Sequence, residues 1–252
     1  MKSTRAEGPF RPTKLTLVAM LLTSMLMLMG GAAVAPALPL IQAYFPDSSE
    51  FAVSLIITLP SLAVAVTGMA IGGLSDRFGK VRTLIVSLLV FTIGGVSSFF
   101  LDDLNVILVM RFILGVGIGG LSAAVTALMA EYYTGASRVK VLGYQSAAMG
   151  IGALVLESTG GWLAGFSWRE PFLVYLIGLP IILLCVLSMR EPSPVERHQD
   201  SSAPVRKANM RLVAVCYLAV FMCQMIFFLI PTKLPTFLED PNTANYISTS
   251  MV

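Results

Sequence analysis

Two ionisable side chains, Arg111 and Glu157, lie well inside long apolar runs of the 252-residue sequence. A charged group at such a position costs about 2.5–3.5 kcal/mol on insertion scales and usually marks a functional interior. At 1.5 Å per residue, Arg111 lies about 10 Å from the start of its run and Glu157 about 13 Å from the end of its run. Because the two runs are antiparallel, these two ends lie on the same side. We therefore expect Arg111 and Glu157 to face one central cavity and to have a functional role there. An ion pair between them is one form of this arrangement, and a purely structural pair is the alternative.

The runs that carry these two residues belong to a strongly apolar chain, with 56% hydrophobic and 12% charged residues. Soluble domains have about 25% charged residues, so the composition excludes a soluble protein. A membrane-spanning helix needs about 20 mostly apolar residues, and lipid forces such runs to be helical. The sequence therefore predicts an all-α membrane protein with seven spans at 15–41, 51–73, 83–101, 104–130, 141–166, 171–189 and 211–231.

Positive charge is distributed unevenly between the connecting segments. Most of the Lys and Arg residues lie before the first span and after the second, fourth and sixth spans. Because positive residues stay on the cytoplasmic side, this pattern predicts a cytoplasmic N-terminus in a bacterial inner membrane. The cysteines and the single histidine match no metal-binding pattern, so we expect no cofactor and no metal. We expect the chain to be embedded in a lipid bilayer and not to bind nucleic acid.

Glycine pairs indicate an internal repeat. Gly30-Gly31 and Gly119-Gly120 are 89 residues apart, and Gly72-Gly73 and Gly160-Gly161 are 88 apart. An offset of three spans places the second copy upside down in the membrane, as in the inverted repeats of secondary transporters. The predicted organisation is a cytoplasmic N-terminus (1–14), a six-helix inverted-repeat domain (15–189), a cytoplasmic linker (190–210), and a seventh span that begins an incomplete second domain (211–252).

The segment after the second span carries a recognisable motif. It reads Gly72-Gly73-Leu74-Ser75-Asp76-Arg77-Phe78-Gly79-Lys80-Val81-Arg82. This resembles the signature loop of the major facilitator superfamily, and it lies between the expected spans. Residues 111–117, the pair Glu131 and Arg138, residues 36–39 and residues 168–172 are similar to further landmarks of that family. The resemblance implies a conformational gate on the cytoplasmic side, formed by Gly72, Asp76, Arg77, Gly79, Lys80, Arg82, Glu131 and Arg138.

The resemblance is to the drug:proton antiporter-like branch, with two departures. An acidic residue often found in the first span of that branch is replaced by Ala32, and a glycine-proline pair before Gly160 is absent. With hydroxyls such as Ser122 and Thr126 expected near the cavity, the sequence predicts a secondary transporter of small organic or amphipathic solutes. Proton-coupled efflux is the expected mode, with Arg111 and Glu157 as the transport and coupling residues.

Two alternatives to this function stay open. One is a sugar or metabolite carrier of the same superfamily, and the other is a non-transporting fragment. No catalytic pattern supports an enzyme. Because the second domain is expected to be incomplete, the chain by itself should insert without transporting, and it should pair with a missing second half or with another copy.

Overall fold

The computed structural model describes residues 12–191, residue 215, residues 218–223 and residue 225. Within these residues, six helical segments are long and apolar enough to cross a membrane. The first six predicted spans are therefore confirmed. The segments are Lys14–Tyr44, Glu50–Gly68, Lys80–Phe100, Leu104–Tyr132, Gly135–Ala164 and Glu170–Ser188, called the first to sixth spans below.

Most of the remaining predicted organisation lies outside the described residues. These parts are residues 1–11, the linker after Glu191, and the end of the chain after residue 225. Of the predicted seventh span at 211–231, the described residues are Val215, residues 218–223 and Met225, all helical and exposed. The rest of that span stays a prediction.

The first span is not one continuous helix. It consists of α-helices at Lys14–Met25, Met29–Ala32 and Leu38–Tyr44, separated by 3₁₀ turns at Leu26–Leu28 and Ala35–Ala37. The break contains Gly30 and Gly31, which are poor helix formers, and it runs into Pro36, which has no backbone N–H to donate. Some backbone carbonyls of this span are therefore available to partners on other spans.

The segment that the sequence predicts as a loop after the second span is mostly helical. The second helix runs from Glu50 through Phe78, and the next helix begins at Lys80. Gly79 alone makes the turn, with φ of 103°, a conformation that favours glycine. The expectation that Gly79 permits a sharp backbone turn is correct, but the loop around it is shorter than expected because residues 72–78 continue the helix.

Close helix contacts depend on glycines that face neighbouring backbones. A Cβ added at Gly115 would lie 2.4 Å from the Pro60 carbonyl oxygen, and one at Gly117 would lie 2.6 Å from the Phe91 nitrogen. A Cβ at Gly160 would lie 1.9 Å from the Ala33 carbonyl oxygen. The fourth span thus packs tightly on the second and third, and the fifth packs tightly on the first, as small residues allow in membranes.

The helix contacts follow the symmetry of the predicted repeat. The fourth span packs on the second and third, and the first span packs correspondingly on the fifth and sixth. The third and sixth spans also contact each other. Exchanging the first three spans with the last three preserves these contacts, as an inverted three-helix repeat requires.

Gly160 should be sensitive to the smallest enlargement. We expect Gly160→Ala to destabilise the bundle by about 1–3 kcal/mol, because the added methyl group meets backbone rather than a movable side chain. Gly143, on the same helix, is the matched control, since nothing lies within 4 Å of its added Cβ. Gly143→Ala should leave stability unchanged or raise it by up to about 1 kcal/mol. Thermal unfolding of the purified chain in detergent measures both, and equal midpoints for the two variants would contradict the packing argument.

Candidate functional site

A cavity of about 350 Å³ lies between the first, second, fourth and fifth spans. Its lining is apolar apart from two hydroxyl side chains, Ser61 and Ser122, and no charged residue is among its described lining residues. Ser122 lines the cavity as the sequence suggests, whereas Thr126 does not. The lining residues are Met27, Leu28, Gly30, Gly31, Pro60, Ser61, Val64, Ala65, Ile118, Ser122 and Met149.

The break in the first span shapes one wall of this cavity. Leu28, Gly30 and Gly31 come from the broken region and line the cavity. Met27 and Met149 add flexible, polarizable thioethers, which adapt to differently shaped apolar ligands. The cavity can therefore bind a small apolar or amphipathic solute and offers it two hydroxyl groups.

Arg111 lies in the interior of the bundle and is 0% exposed. Its guanidinium donates to the Tyr175 hydroxyl (2.9 Å), to the Ser98 hydroxyl (3.1 Å) and to the Gly95 carbonyl (3.2 Å). The guanidinium carbon also lies 4.6 Å from the centre of the Phe172 ring and 4.9 Å from that of Tyr175. Neutral acceptors and aromatic rings therefore surround this cation, an arrangement that stabilises charge in a desolvated site.

Tyr175 connects Arg111 to the cavity wall. Its hydroxyl donates to the Met29 carbonyl at 3.1 Å and lies 3.4 Å from the Gly30 carbonyl oxygen. Both carbonyls belong to the broken part of the first span, and Gly30 lines the cavity. Arg111 is thus connected to the cavity wall through a chain of hydrogen bonds, but it does not line the cavity.

The expected joint placement of Arg111 and Glu157 in one cavity, with an ion pair between them, is wrong. None of the ion pairs between described residues joins these two side chains, and neither side chain is among the cavity's lining residues. The physical reason is that Arg111 is enclosed by the third, fourth and sixth spans, where neutral groups accept hydrogen bonds from both of its terminal nitrogens.

Glu157 lies on the fifth span, which packs against the first span. Gly152 packs against Met25, and Gly160 packs against Ala33. Glu157, between them on the same helix, therefore lies near the level of Gly30. Arg111 reaches the break in the first span through Tyr175 of the sixth span, whereas Glu157 is carried to the level of the break by the fifth span.

A charged cluster joins the ends of the second, third and fourth spans. Lys80 is 7% exposed, and its ammonium contacts the Glu131 carboxylate and lies 3.8 Å from that of Asp76. Glu191, directly after the sixth span, accepts hydrogen bonds from the backbone N–H groups of Lys80 and Val81. Its carboxylate thereby caps the start of the third helix, where negative charge is favourable.

Glu191 is a residue of this cluster that the sequence reasoning missed. The sequence assigns Arg190 and Glu191 to a flexible linker, but both are held in place. The Tyr132 hydroxyl donates to the Arg190 carbonyl, in addition to the Glu191 contacts. The nearby prolines and charges made this segment resemble a linker. The repeat was the signal that could have identified Glu191, because Glu191 and Asp102 are 89 residues apart, as are Gly30-Gly31 and Gly119-Gly120.

The structure brings together only some of the expected gate residues. Asp76, Gly79, Lys80 and Glu131 are close to one another, as described above. Arg77, Arg82 and Arg138 are exposed and form no ion pair with other described residues. A Cβ at Gly72 would lie an ordinary 4.0 Å from the Ala123 Cβ, so close helix approach does not require glycine there. Glu131 and Arg138, which the family resemblance identifies as a pair, therefore do not pair with each other in this structure, because Glu131 pairs with Lys80.

A second cluster lies at the opposite end of the bundle. Arg169 contacts the Asp102 carboxylate, donates to the Tyr44 hydroxyl (3.3 Å), and stacks over the Trp168 ring at 4.8 Å. Desolvation lowers the pKa of Arg169, but hydrogen bonds and attraction from Asp102 and Tyr44 outweigh this and raise that pKa. The guanidinium therefore stays charged and joins the ends of the first, third and fifth spans.

A six-helix membrane bundle with an inverted repeat around an apolar cavity is the architecture of a secondary transporter domain. The family model described as the Major Facilitator Superfamily matches residues 20–251. The chain therefore belongs to the major facilitator superfamily. This is a family of transporters rather than enzymes, and it places the chain among multi-pass membrane proteins.

Individual relatives agree with this assignment. The chain is 31% identical over 167 residues to the cis,cis-muconate transport protein of Acinetobacter baylyi, covering 64% of this chain and 40% of that protein. It is 29% identical over 162 residues to multidrug resistance protein 2 of Bacillus subtilis, covering 64% of this chain and 38% of that protein. The chain thus spans about 40% of the length of these curated relatives.

A solved structure shows the same fold. It is an inward-facing, unoccupied bacterial homolog of the human lysosomal transporter Spinster. The TM-score is 0.68 at 19% sequence identity, and the alignment covers 90% of this chain and 55% of that one. At this identity the similarity supports the fold alone.

The hydroxyl of Tyr175 should contribute measurably to stability. Tyr175→Phe keeps the ring but removes an acceptor from Arg111 and a donor from the Met29 carbonyl. Hydrogen bonds to charged groups contribute about 1.5–3 kcal/mol, so we expect a loss of that size in thermal unfolding. Tyr144→Phe, at an exposed position on the fifth span, should have little effect. Equal midpoints for both variants would contradict the assigned role of the hydroxyl.

The Lys80–Glu131 pair should show strong coupling between its partners. Lys80→Met removes the cation and leaves a mostly buried carboxylate, which we expect to cost about 3–5 kcal/mol. The double variant Lys80→Met/Glu131→Gln should recover part of that loss, because the mostly buried carboxylate that faced the Lys80 ammonium is then also removed. Lys140→Met, at an exposed position, is the control. Thermal unfolding of the unaltered protein, these three variants and the single variant Glu131→Gln tests this, and additive losses in the double variant would show that the pair is not coupled.

Proposed function

We propose that this chain forms one six-helix domain of a secondary active transporter that moves small organic or amphipathic solutes by alternating access. The observation that carries this proposal is the cavity between the first, second, fourth and fifth spans. It is concave and almost wholly apolar, with two convergent hydroxyls, which is typical of small-molecule sites. Its solute would be held between this domain and a second one.

The lining of the cavity favours solutes with a large apolar surface. Two thioethers and two hydroxyls suit compounds of varied shape, and such adaptable surfaces are common in promiscuous binders. A sugar carrier is the alternative, but a sugar needs many more hydrogen-bonding partners than Ser61 and Ser122 provide. The resemblance to a multidrug resistance protein supports the same preference.

We propose Glu157 as the residue that binds the coupling proton. It is the one acidic side chain between residues 135 and 164, and it lies near the break in the first span. A carboxylate at such a depth is energetically costly, and ionisable residues that occur there usually mark ion or substrate pathways. Arg111 is then a positioning residue, which acts on the cavity through Tyr175 and the carbonyls of Met29 and Gly30.

The cluster around Gly79 is the proposed conformational gate. In it, Asp76, Lys80, Glu131 and Glu191 hold three helix ends together. Arg77 and Arg138 are exposed, so they are available to a second domain when the gate closes. With positive residues concentrated at this end, we place it in the cytoplasm, with a cytoplasmic N-terminus in a bacterial inner membrane.

Everted membrane vesicles test the transport activity. They are prepared from cells that lack their main efflux pumps and express the complete reading frame that encodes this chain. A pH gradient, acid inside, is expected to drive uptake of an amphipathic cationic dye several-fold above vesicles without the protein, whereas labelled xylose should not accumulate. Sugar accumulation without dye uptake would favour the sugar carrier, and uptake of neither would contradict the proposal.

The same vesicles test the coupling residue. Glu157→Gln keeps the size of the side chain but cannot bind and release a proton, so accumulation driven by the pH gradient should be lost. Glu50→Gln, at an exposed position at the start of the second span, is the matched control and should behave like the unaltered protein. Undiminished gradient-driven accumulation by Glu157→Gln would show that the proton site lies elsewhere.

A further inference from the structure

A second cavity lies on another face of the bundle. It is a groove of about 530 Å³ between the third span, the fourth span and the part of the helix Glu50–Phe78 that continues beyond the second span, and it shares no lining residue with the cavity described above. Its described lining residues are Ile71, Leu74, Phe78, Arg82, Thr83, Val86, Ser87, Val90, Val116 and Gly117. This groove is referred to below as the lateral groove.

The lateral groove has a polar end and an apolar end. Arg82 and Thr83 lie in the first turn of the third helix, next to the charged cluster, whereas Val90 lies two turns deeper. At 1.5 Å per residue, Arg82 and Val90 are about 12 Å apart along the helix. The groove therefore offers a long apolar surface that ends at a cation, which matches an amphiphile with a negatively charged head.

Arg82 is the charged group that faces this ligand. It is exposed, it forms no ion pair with other described residues, and no carboxylate is among the groove's described lining residues. The neighbouring Thr83 hydroxyl already donates to the Gly79 carbonyl at 2.8 Å. Recognition of an anionic head thus falls to the guanidinium, which binds phosphate through paired N–H donors.

We propose that the lateral groove binds an anionic phospholipid, with an acyl chain along Leu74, Val86 and Val90 and the phosphate at Arg82. The groove lies between spans of a multi-pass membrane protein, so lipid is the amphiphile at highest local concentration. Basic pockets between helices at a membrane surface are typical sites for anionic headgroups. Because the cavity residues are elsewhere, the site does not depend on the proposed transport function.

Native mass spectrometry of the 252-residue chain tests the lipid site. The chain is released from nanodiscs that contain equal amounts of phosphatidylglycerol and phosphatidylethanolamine with identical acyl chains. The unaltered chain should retain phosphatidylglycerol preferentially. Arg82→Gln should lower the ratio of the two retained lipids about fivefold, as expected for one lost cationic contact near the surface.

Two further variants separate the headgroup contact from the apolar contact. Val86→Trp should fill the groove at an exposed position, keep Arg82, and lower retention of both lipids. Lys140→Gln removes an exposed cation outside the groove and should match the unaltered chain. Equal retention of the two lipids by the unaltered chain, or an unchanged ratio in Arg82→Gln, would overturn the proposal. Displacement of the retained lipid by a cationic dye at equal concentration would also overturn it, because the groove would then bind solute in preference to an anionic head.

Discussion

A fully buried guanidinium constrains how the spans can pack. Arg111 cannot reach water, so acceptors for its two terminal nitrogens must come from the protein, while its Nε has no hydrogen-bond partner among the described residues. The third span supplies a carbonyl and a hydroxyl, while the sixth supplies Tyr175 and the face of Phe172. Tyr175 then extends the network to the first span. Four spans are thus fixed relative to one another by the need to satisfy one cation.

Contacts between the two repeats also occur at both ends of the bundle. Lys80 and Arg169 are 89 residues apart, and so are Asp102 and Glu191. Asp102 binds Arg169, while Glu191 binds the backbone of Lys80. In each case an acid that follows the last span of one repeat contacts the turn before the last span of the other. The inverted repeat therefore ties its two copies together once at each membrane surface.

Sequence patterns predicted the spans well, because each is a long apolar run and lipid permits only helix there. They also identified Gly79 and the acidic and basic groups near it, because the motif has a distinctive order. They failed for contacts between distant segments. Arg111 and Glu157 were expected to share one cavity because they lie at similar depths, whereas hydroxyls, a carbonyl and two aromatic rings on other spans surround Arg111. The sequence patterns missed Glu191 because a charged segment that contains prolines resembles a linker.

The distribution of charge suggests where conformational change can occur. The two end clusters and the Arg111 network join residues within one six-helix unit, and the cavity between the first, second, fourth and fifth spans is uncharged among its described lining residues. Breaking a buried ion pair costs about 3–5 kcal/mol, most of the roughly 5.5 kcal/mol needed to invert a 1:99 equilibrium. If the chain acts in transport as proposed, internal rearrangement of this unit would consume most of the free energy that differential solute binding could supply. Movement of the whole unit against a second domain would leave these contacts intact and expose only the neutral cavity face, so it would be the less costly route for the proposed alternating access.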